Sequence, residues 1–450
     1  MNLKNTIVAT SLLLTTSLAF AQETLKEKEL AAVAQPETIK DKEVVAAAKP
    51  EKKESLFDMK FFGFIRHDVI YDSRQTVDVR EAAVVLWGKD VDFDANGKDR
   101  NAASKFQMLN VLSRVGVKFT APDVLGAKTA GFLEGDFFGN AEAGINEFRL
   151  RHAYITLDWK KSQLGIGQFW HPLTIPEVFP GVVNFSGGAP YMPYNRNPQI
   201  RFTQKLDDHF TLMLAAVSQR DFTSNTAPYR NSSLPSGHVQ ANYKSKNVLV
   251  GLASHFEQIR PKLSSGLTND FSNERLNSVT IMAYGRLETK PMTIKAEAVY
   301  GQNAASFIML GGYIGYTPTA APGLETYSTM GTQSFWIDLT GKTKKVIPGF
   351  FAGFSQNDGA NDPISGKALA YGFSNAVGGI AASGNTPART INYIYRLAPR
   401  IEVPIKNLKF GLEAEYSAAE WGNADTSGRA ASSLNLIGTW RVVFATVLKF

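Results

Sequence analysis

The chain has 450 residues, with 48 Lys and Arg against 41 Asp and Glu, for a net charge of +7. It contains 37 Gly, 29 Phe and 15 Tyr but no Cys, which excludes a disulfide framework, Cys-ligated zinc or iron–sulfur centres, and a lipid-modified N-terminal Cys. Mean hydropathy is −0.15. No apolar run of about 18 residues occurs outside the N-terminus and no dense Lys/Arg stripe is present, so a transmembrane helix bundle and a nucleic-acid-binding surface are both excluded.

Residues 1–21 read as a secretory signal peptide. Lys4 precedes an apolar stretch from Ile7 to Phe20, and Leu18-Ala19-Phe20-Ala21 places small residues before the expected cleavage site. Residues 22–57 form a second zone of Lys, Glu, Ala and Pro with an imperfect repeat, Lys28–Glu37 and Lys42–Glu51. Helices ending at Pro36 and Pro50 would be too short to be stable alone, so this zone is expected to be a charged periplasmic spacer.

From residue 58 to residue 450 the pattern changes to a period of two. In 407–421, Leu408, Phe410, Leu412, Ala414 and Tyr416 share one face, and Lys409, Glu413, Glu415 and Ser417 the other. In the last segment Leu436, Trp440, Val442, Phe444, Leu448 and Phe450 oppose Thr439, Arg441 and Lys449. Such segments are strands with one apolar and one wet face. The pattern predicts sixteen of them, near 60–72, 106–120, 127–138, 147–159, 163–170, 198–206, 209–220, 236–246, 247–260, 275–288, 292–303, 332–343, 346–357, 388–403, 407–420 and 434–450. Connections alternate between long (73–105, 139–146, 171–197, 221–235, 261–274, 304–331, 358–387, 421–433) and short, as at Asp207-Asp208 or Pro404–Lys406. Sorted loops, an even strand count and a signal peptide predict an all-β, 16-stranded antiparallel transmembrane barrel in the outer membrane. Periplasmic turns are short, outer loops are long, and sixteen strands enclose an aqueous lumen. The aromatic end of the last strand, Phe450, has the form of the signal by which barrel-assembly machinery selects its substrates.

Gly63-Phe64-Ile65-Arg66, Ser113-Arg114-Val115-Gly116-Val117-Lys118, Glu134-Gly135-Asp136-Phe137-Phe138-Gly139, Arg149-Leu150-Arg151-His152-Ala153-Tyr154 and Gly165-Ile166-Gly167-Gln168 follow one another in the first five strands. Gly187-Gly188-Ala189-Pro190 and Asn195–Gln199 close the long segment after them. This stretch resembles the trimeric outer-membrane porins, most closely their dicarboxylate-porin-like branch. The resemblance implies a homotrimer in outer-membrane lipid whose third loop, 171–197, folds into the pore. It points to passive diffusion of small hydrophilic solutes rather than enzymatic chemistry. The charged segment 22–57 keeps a second reading open, a non-conducting scaffold barrel within an envelope assembly.

With apolar positions turned to lipid, the opposite faces line the lumen, where Lys and Arg stay hydrated. The constriction candidates are Arg66, Arg114, Lys118, Arg149, Arg151, Arg196 and Arg201 on the basic side, and Glu134, Asp136 and Glu177 on the acidic side. Opposed rings of charge set which ions pass, and the basic excess favours anions such as small carboxylates. Arg149 and Arg151 share a parity with Ile155 and Leu157, which requires either a bulge or a change of environment along that strand.

Other motifs are weaker. Asp92-Phe93-Asp94-Ala95-Asn96-Gly97 matches the opening of a calcium loop, but Ala103 stands where Glu is required, leaving Asp92, Asp94 and Asn96 as a partial set for a structural calcium ion and no other cofactor. Gly341-Lys342-Thr343 has Trp336 in place of the upstream Gly of a phosphate loop. The six His (67, 152, 171, 209, 238, 255) form no sequence motif.

Overall fold

The computed structural model describes residues 58–220, 226–266, 268–318, 323–372 and 388–450. The signal peptide and the charged spacer expected over residues 1–57 lie outside the described residues.

Alternating side chains make two-faced strands, and a closed sheet is the arrangement that satisfies every strand's backbone in lipid. Sixteen strands do this: β1 Asp58–Asp72, β2 Arg114–Val124, β3 Ala127–Asp136, β4 Arg149–Asp158, β5 Ser162–Trp170, β6 Arg196–Lys205, β7 Phe210–Val217 and β8 Ser236–Lys244 form the first half. β9 Val248–Ile259, β10 Leu276–Glu288, β11 Met292–Gln302, β12 Thr326–Gly341, β13 Ile347–Ala360, β14 Arg389–Ile405, β15 Leu408–Ala424 and β16 Ala430–Lys449 complete it. Each pairs antiparallel with its neighbours in sequence, and β16 returns to β1 with register Phe64↔Lys449 through Asp72↔Arg441. The seam continues into the last residue: Phe450 N–H donates to Gly63 O at 3.1 Å, and Gly63 N–H to Phe450 O at 3.2 Å. A Cβ at Gly63 would lie 2.6 Å from the Phe450 ring, so this close approach requires glycine.

The two faces separate cleanly. On β16, Trp440 is 53% exposed toward the lipid side while Arg441 is 1% exposed toward the interior. The turn joining β2 to β3 is Leu125-Gly126, with φ of 54° and 71°, the left-handed pair that suits a two-residue hairpin.

One expected strand is interrupted in the structure. The predicted strand 106–120 is broken: residues 105–109 pair with the outer end of β1, and β2 starts only at Arg114. Four residues, 110–113, oppose the short stretch of β1 around Arg66. There the Arg66 N–H donates to Ser113 Oγ at 3.0 Å and Asn110 Nδ2 donates to Arg66 O at 3.3 Å, so local side chains satisfy the backbone where the ladder is interrupted. The long connections also carry structure of their own: a hairpin of 76–79 with 84–88, and a strand 312–317 that joins both β12 and 367–371.

The apolar core lies inside the barrel. Val84, Leu86 and Trp87 of the first outer connection, Leu173, Val178, Val183 and Tyr191 of the third, and Phe307–Leu310 of the sixth cluster with the wall residues Trp336, Phe351 and Trp421. The strand count predicts a water-filled lumen. The structure adds inward-folded connections that occupy part of it.

Candidate functional site

Backbone groups removed from water must find partners. The third connection, 171–195, finds them on the inner wall. Lys244 of β8 pairs with Glu177 at 2.5 Å, Arg286 Nη1 of β10 donates to Glu177 O at 3.3 Å, and Lys295 Nζ of β11 donates to Phe179 O at 2.6 Å. Further along, the Val183 and Asn184 N–H groups donate to the Glu413 carboxylate at 2.8 and 3.1 Å, and Asn184 Nδ2 donates to Glu415 at 2.8 Å. Arg66 Nη2 donates to Val183 O at 2.7 Å, Arg396 Nη1 to Ala189 O at 3.0 Å, and Ser334 Oγ to Tyr191 O at 2.8 Å. The inward positions of β8, β10, β11, β12, β14, β15 and β1 therefore hold the connection along most of its length.

The hairpin of the first connection is held by the same wall. Arg441 Nη2 donates to Ala82 O at 2.6 Å, Arg396 Nη2 to Val85 O at 3.2 Å, and Trp421 Nε1 to Gly88 O at 3.1 Å. Val85 N–H reaches Ser186 Oγ of the third connection at 2.8 Å. Its turn is strained: Arg80, Glu81 and Ala82 have φ of 55°, 52° and 59°, a conformation disfavoured for side chains with a Cβ. The Glu142 carboxylate accepts from the N–H groups of Arg80 and Glu81 at 2.7 and 2.6 Å and offsets that cost.

The predicted constriction residues lie mostly on the opposite wall, β1 to β6. A register shift between Glu134 and Gly135 makes Arg151 the extra residue of a bulge: Asp136 faces Arg149, Gly135 faces Leu150, and Glu134 faces His152. This explains the parity conflict of β4, because Arg149, Arg151 and His152 are all buried inward while Leu150 and Ile155 face outward. Arg149 pairs with Asp136 at 2.8 Å, and Arg151 with Glu134 at 2.7 Å and Asp136 at 3.0 Å. Arg114 lies 4.0 Å from Glu134 and stacks 5.0 Å from the Phe64 ring. Arg66 pairs with Asp68 at 2.7 Å. Lys118 sits 5.3 Å from the Phe62 ring, Arg201 4.5 Å from Phe169, and Arg196 5.1 Å from Trp170. Among the described residues neither Lys118 nor Arg201 has a carboxylate at ion-pair distance. Glu177 is the residue that the structure does not bring to this group, since it lies with Lys244 of β8.

Asp92, Asp94 and Asn96 form an outer turn. Asp94 Oδ1 accepts from the N–H groups of Asn96 and Lys98 at 2.8 and 2.9 Å, and Asp92 pairs with Arg100 at 2.6 Å. Among the described residues no group of three or more His, Asp or Glu is arranged to hold a metal ion. Sequence reading did not single out Glu142, Glu413, Glu415, Arg396 or Arg441 as functional. The available signal was the pair Glu413-x-Glu415 on the wet face of a strand otherwise rich in small residues.

A family model described as DcaP outer membrane protein matches residues 30–270, more than half of the chain. The chain belongs to the DcaP outer membrane protein family. Among solved structures, the outer membrane channel DcaP of Acinetobacter baumannii superposes with a TM-score of 0.62 at 18% identity, covering 88% of this chain and 97% of that one. OmpT of Vibrio cholerae superposes with a TM-score of 0.51 at 10% identity, covering 88% of this chain and 99% of that one. An anion-selective porin from Comamonas acidovorans gives 0.51 at 10% identity, covering 88% and 100%. No curated protein matches the chain by sequence. This chain is therefore a DcaP-family outer membrane protein of porin architecture, and the solved structures it resembles are described as a channel and as porins.

Proposed function

We propose that this channel passes small hydrophilic solutes by passive diffusion and favours anions, small carboxylates included. The observation that carries this reading is the imbalance of the β1–β6 wall. Lys118 and Arg201 stand over aromatic rings and, among the described residues, have no carboxylate at ion-pair distance, on a wall that also carries Arg114, Arg151 and Arg196. In a narrow passage with low-dielectric walls, uncompensated charge of one sign raises the local concentration of counter-ions. The comparison porin from Comamonas acidovorans is itself described as anion-selective, which agrees with this reading. The same reading places the protein as a homotrimer, a form in which OmpT of Vibrio cholerae has been solved. It also assigns to the strand ending in Phe450 the recognition by assembly machinery. The test is the reversal potential of the purified protein in a salt gradient across a planar bilayer. A potential on the anion side, reduced in Lys118→Ala/Arg201→Ala, supports the reading. No conductance at all would favour the scaffold alternative.

A further inference from the structure

Three imidazoles meet where the third connection leaves the wall. His238 of β8 and His255 of β9 are directly opposite in register, and His171, the first residue after β5, closes over them. Ring centroids are 4.6 Å apart for His171 and His255, 5.8 Å for His238 and His255, and 6.4 Å for His171 and His238. All three are 5% exposed or less. Phe307 of the sixth connection caps them, 5.0 Å from His171 and 5.7 Å from His255.

Their hydrogen bonding is incomplete. His171 Nδ1 accepts from Leu173 N–H at 3.1 Å, and His238 Nε2 contacts Gln240 at 3.3 Å. His171 Nε2, His238 Nδ1 and both nitrogens of His255 have no partner. A set of neutral rings tolerates this packing. A protonated ring does not, because each charge would face another imidazole and a phenyl ring without solvent. The surroundings add little compensation. Arg201 of β6 contributes further positive charge near His171. Glu257, on the same face of β9, has one oxygen engaged by Asn303 at 3.0 Å, with Tyr229 beyond it. Thr280 of β10, opposite His255, is uncharged, and the residues of 304–310 carry no ionisable group.

The cluster also joins two connections to the strands of the wall. His238 and His255 belong to strands hydrogen-bonded on both sides. His171 and Phe307 belong to connections that hold each other, through Tyr194 N–H to Phe307 O at 3.1 Å and Asn195 Nδ2 to Ser306 O. We propose that His171, His238 and His255 form a proton-operated latch that keeps the base of 171–195 and the segment 304–310 against the wall, and that acid releases both into the lumen. These segments pack on the inner wall, so release moves them inward and narrows the passage. Burial, then the neighbouring His255 and His238, hold the His171 imidazole well below its ordinary value of 6.5. The packed arrangement is therefore the one that refuses protons, and its advantage over the released one shrinks as pH falls below that value.

Two measurements test the latch, one of which does not depend on the channel reading. In planar bilayers the full-length protein should lose at least about twofold in mean conductance, with frequent closures, between about pH 7.5 and about pH 4.5. His238→Gln/His255→Gln should flatten that response. Because the chain has no Cys, Ser306→Cys, at a position 2% exposed, reports release directly. It should resist 4,4′-dithiodipyridine, which reacts in acid, at about pH 7.5 and become labelled at about pH 4.5, but stay protected when combined with the two Gln substitutions. Should those substitutions prevent folding, judged by heat-modifiable migration, the single His171→Gln replaces them. Labelling that ignores pH, or an unchanged acid response in a folded histidine variant, overturns the proposal. Acid-dependent labelling in a protein that conducts no ions would keep the latch and remove the channel reading.

Discussion

The two halves of the inner wall use inward charge differently. On β8 to β16, charged side chains reach across to backbone: Glu413 to the amides of Val183 and Asn184, Lys295 to Phe179 O, Arg396 and Arg441 to Ala189 and Ala82. On β1 to β6 most meet each other and aromatic rings, as in Arg151 with Glu134 and Asp136, or Lys118 with Phe62, and Arg66 is the exception in also reaching Val183 O. The β8–β16 wall positions the connections, and the β1–β6 wall leaves Lys118 and Arg201 without a carboxylate at ion-pair distance among the described residues. A charged residue on a wet strand face can thus shape a passage or set its field, and only its partner distinguishes the two.

The largest test of this division lies in the positioning half. Arg441 pairs with Asp72 at 2.7 Å with both side chains about 1% exposed. Arg441→Ala leaves a buried carboxylate and frees Ala82, which should cost about 3–5 kcal/mol of unfolding free energy in urea titrations. Glu413→Ala should follow, leaving two backbone amides without acceptors at a cost of about 1–3 kcal/mol each and shifting the single-channel conductance. Loss of stability without any change in conductance would mean that 171–195 does not border the passage. In the other half, Lys118→Ala/Arg201→Ala should lower the anion-to-cation permeability ratio about threefold or more while thermal stability stays near wild type. If it destabilises the barrel and leaves selectivity unchanged, the distinction between the halves fails. Glu142→Ala should loosen the strained turn of the first hairpin by about 1–3 kcal/mol, read by proteolysis at Arg80. The smallest effect is expected of Lys60→Ala at the periplasmic rim, where the pair with Asp58 is well exposed and melting should be unchanged.

The strands were legible because one-face burial writes itself into sequence at a period of two. Leu412 faces out and Glu413 faces in, as the alternation of β15 predicts. The bulge at Arg151 was visible only as a conflict of parity, since one inserted residue reverses every position after it and local sequence does not say where the insertion falls. The clamps on the first and third connections were not legible. Val183 and Glu413 are 230 residues apart, and a carboxylate that will accept from a distant backbone amide looks the same in sequence as one that faces water. The histidine cluster stayed hidden for the same reason: His171, His238 and His255 meet only because β8 and β9 pair and the third connection folds back over them.

The seam between Gly63 and Phe450 has a practical corollary. The carbonyl and the amide of Phe450 are both engaged by the first strand, so this residue is a working joint of the barrel rather than a loose end. A purification tag or reporter placed after Phe450 has to leave beside the aromatic ring packed on Gly63 and competes with closure. The same tag inserted at Gly97, a turn of the first connection beyond its clamped hairpin, meets no such obstacle, because nothing lies within 4 Å of where a side chain would start.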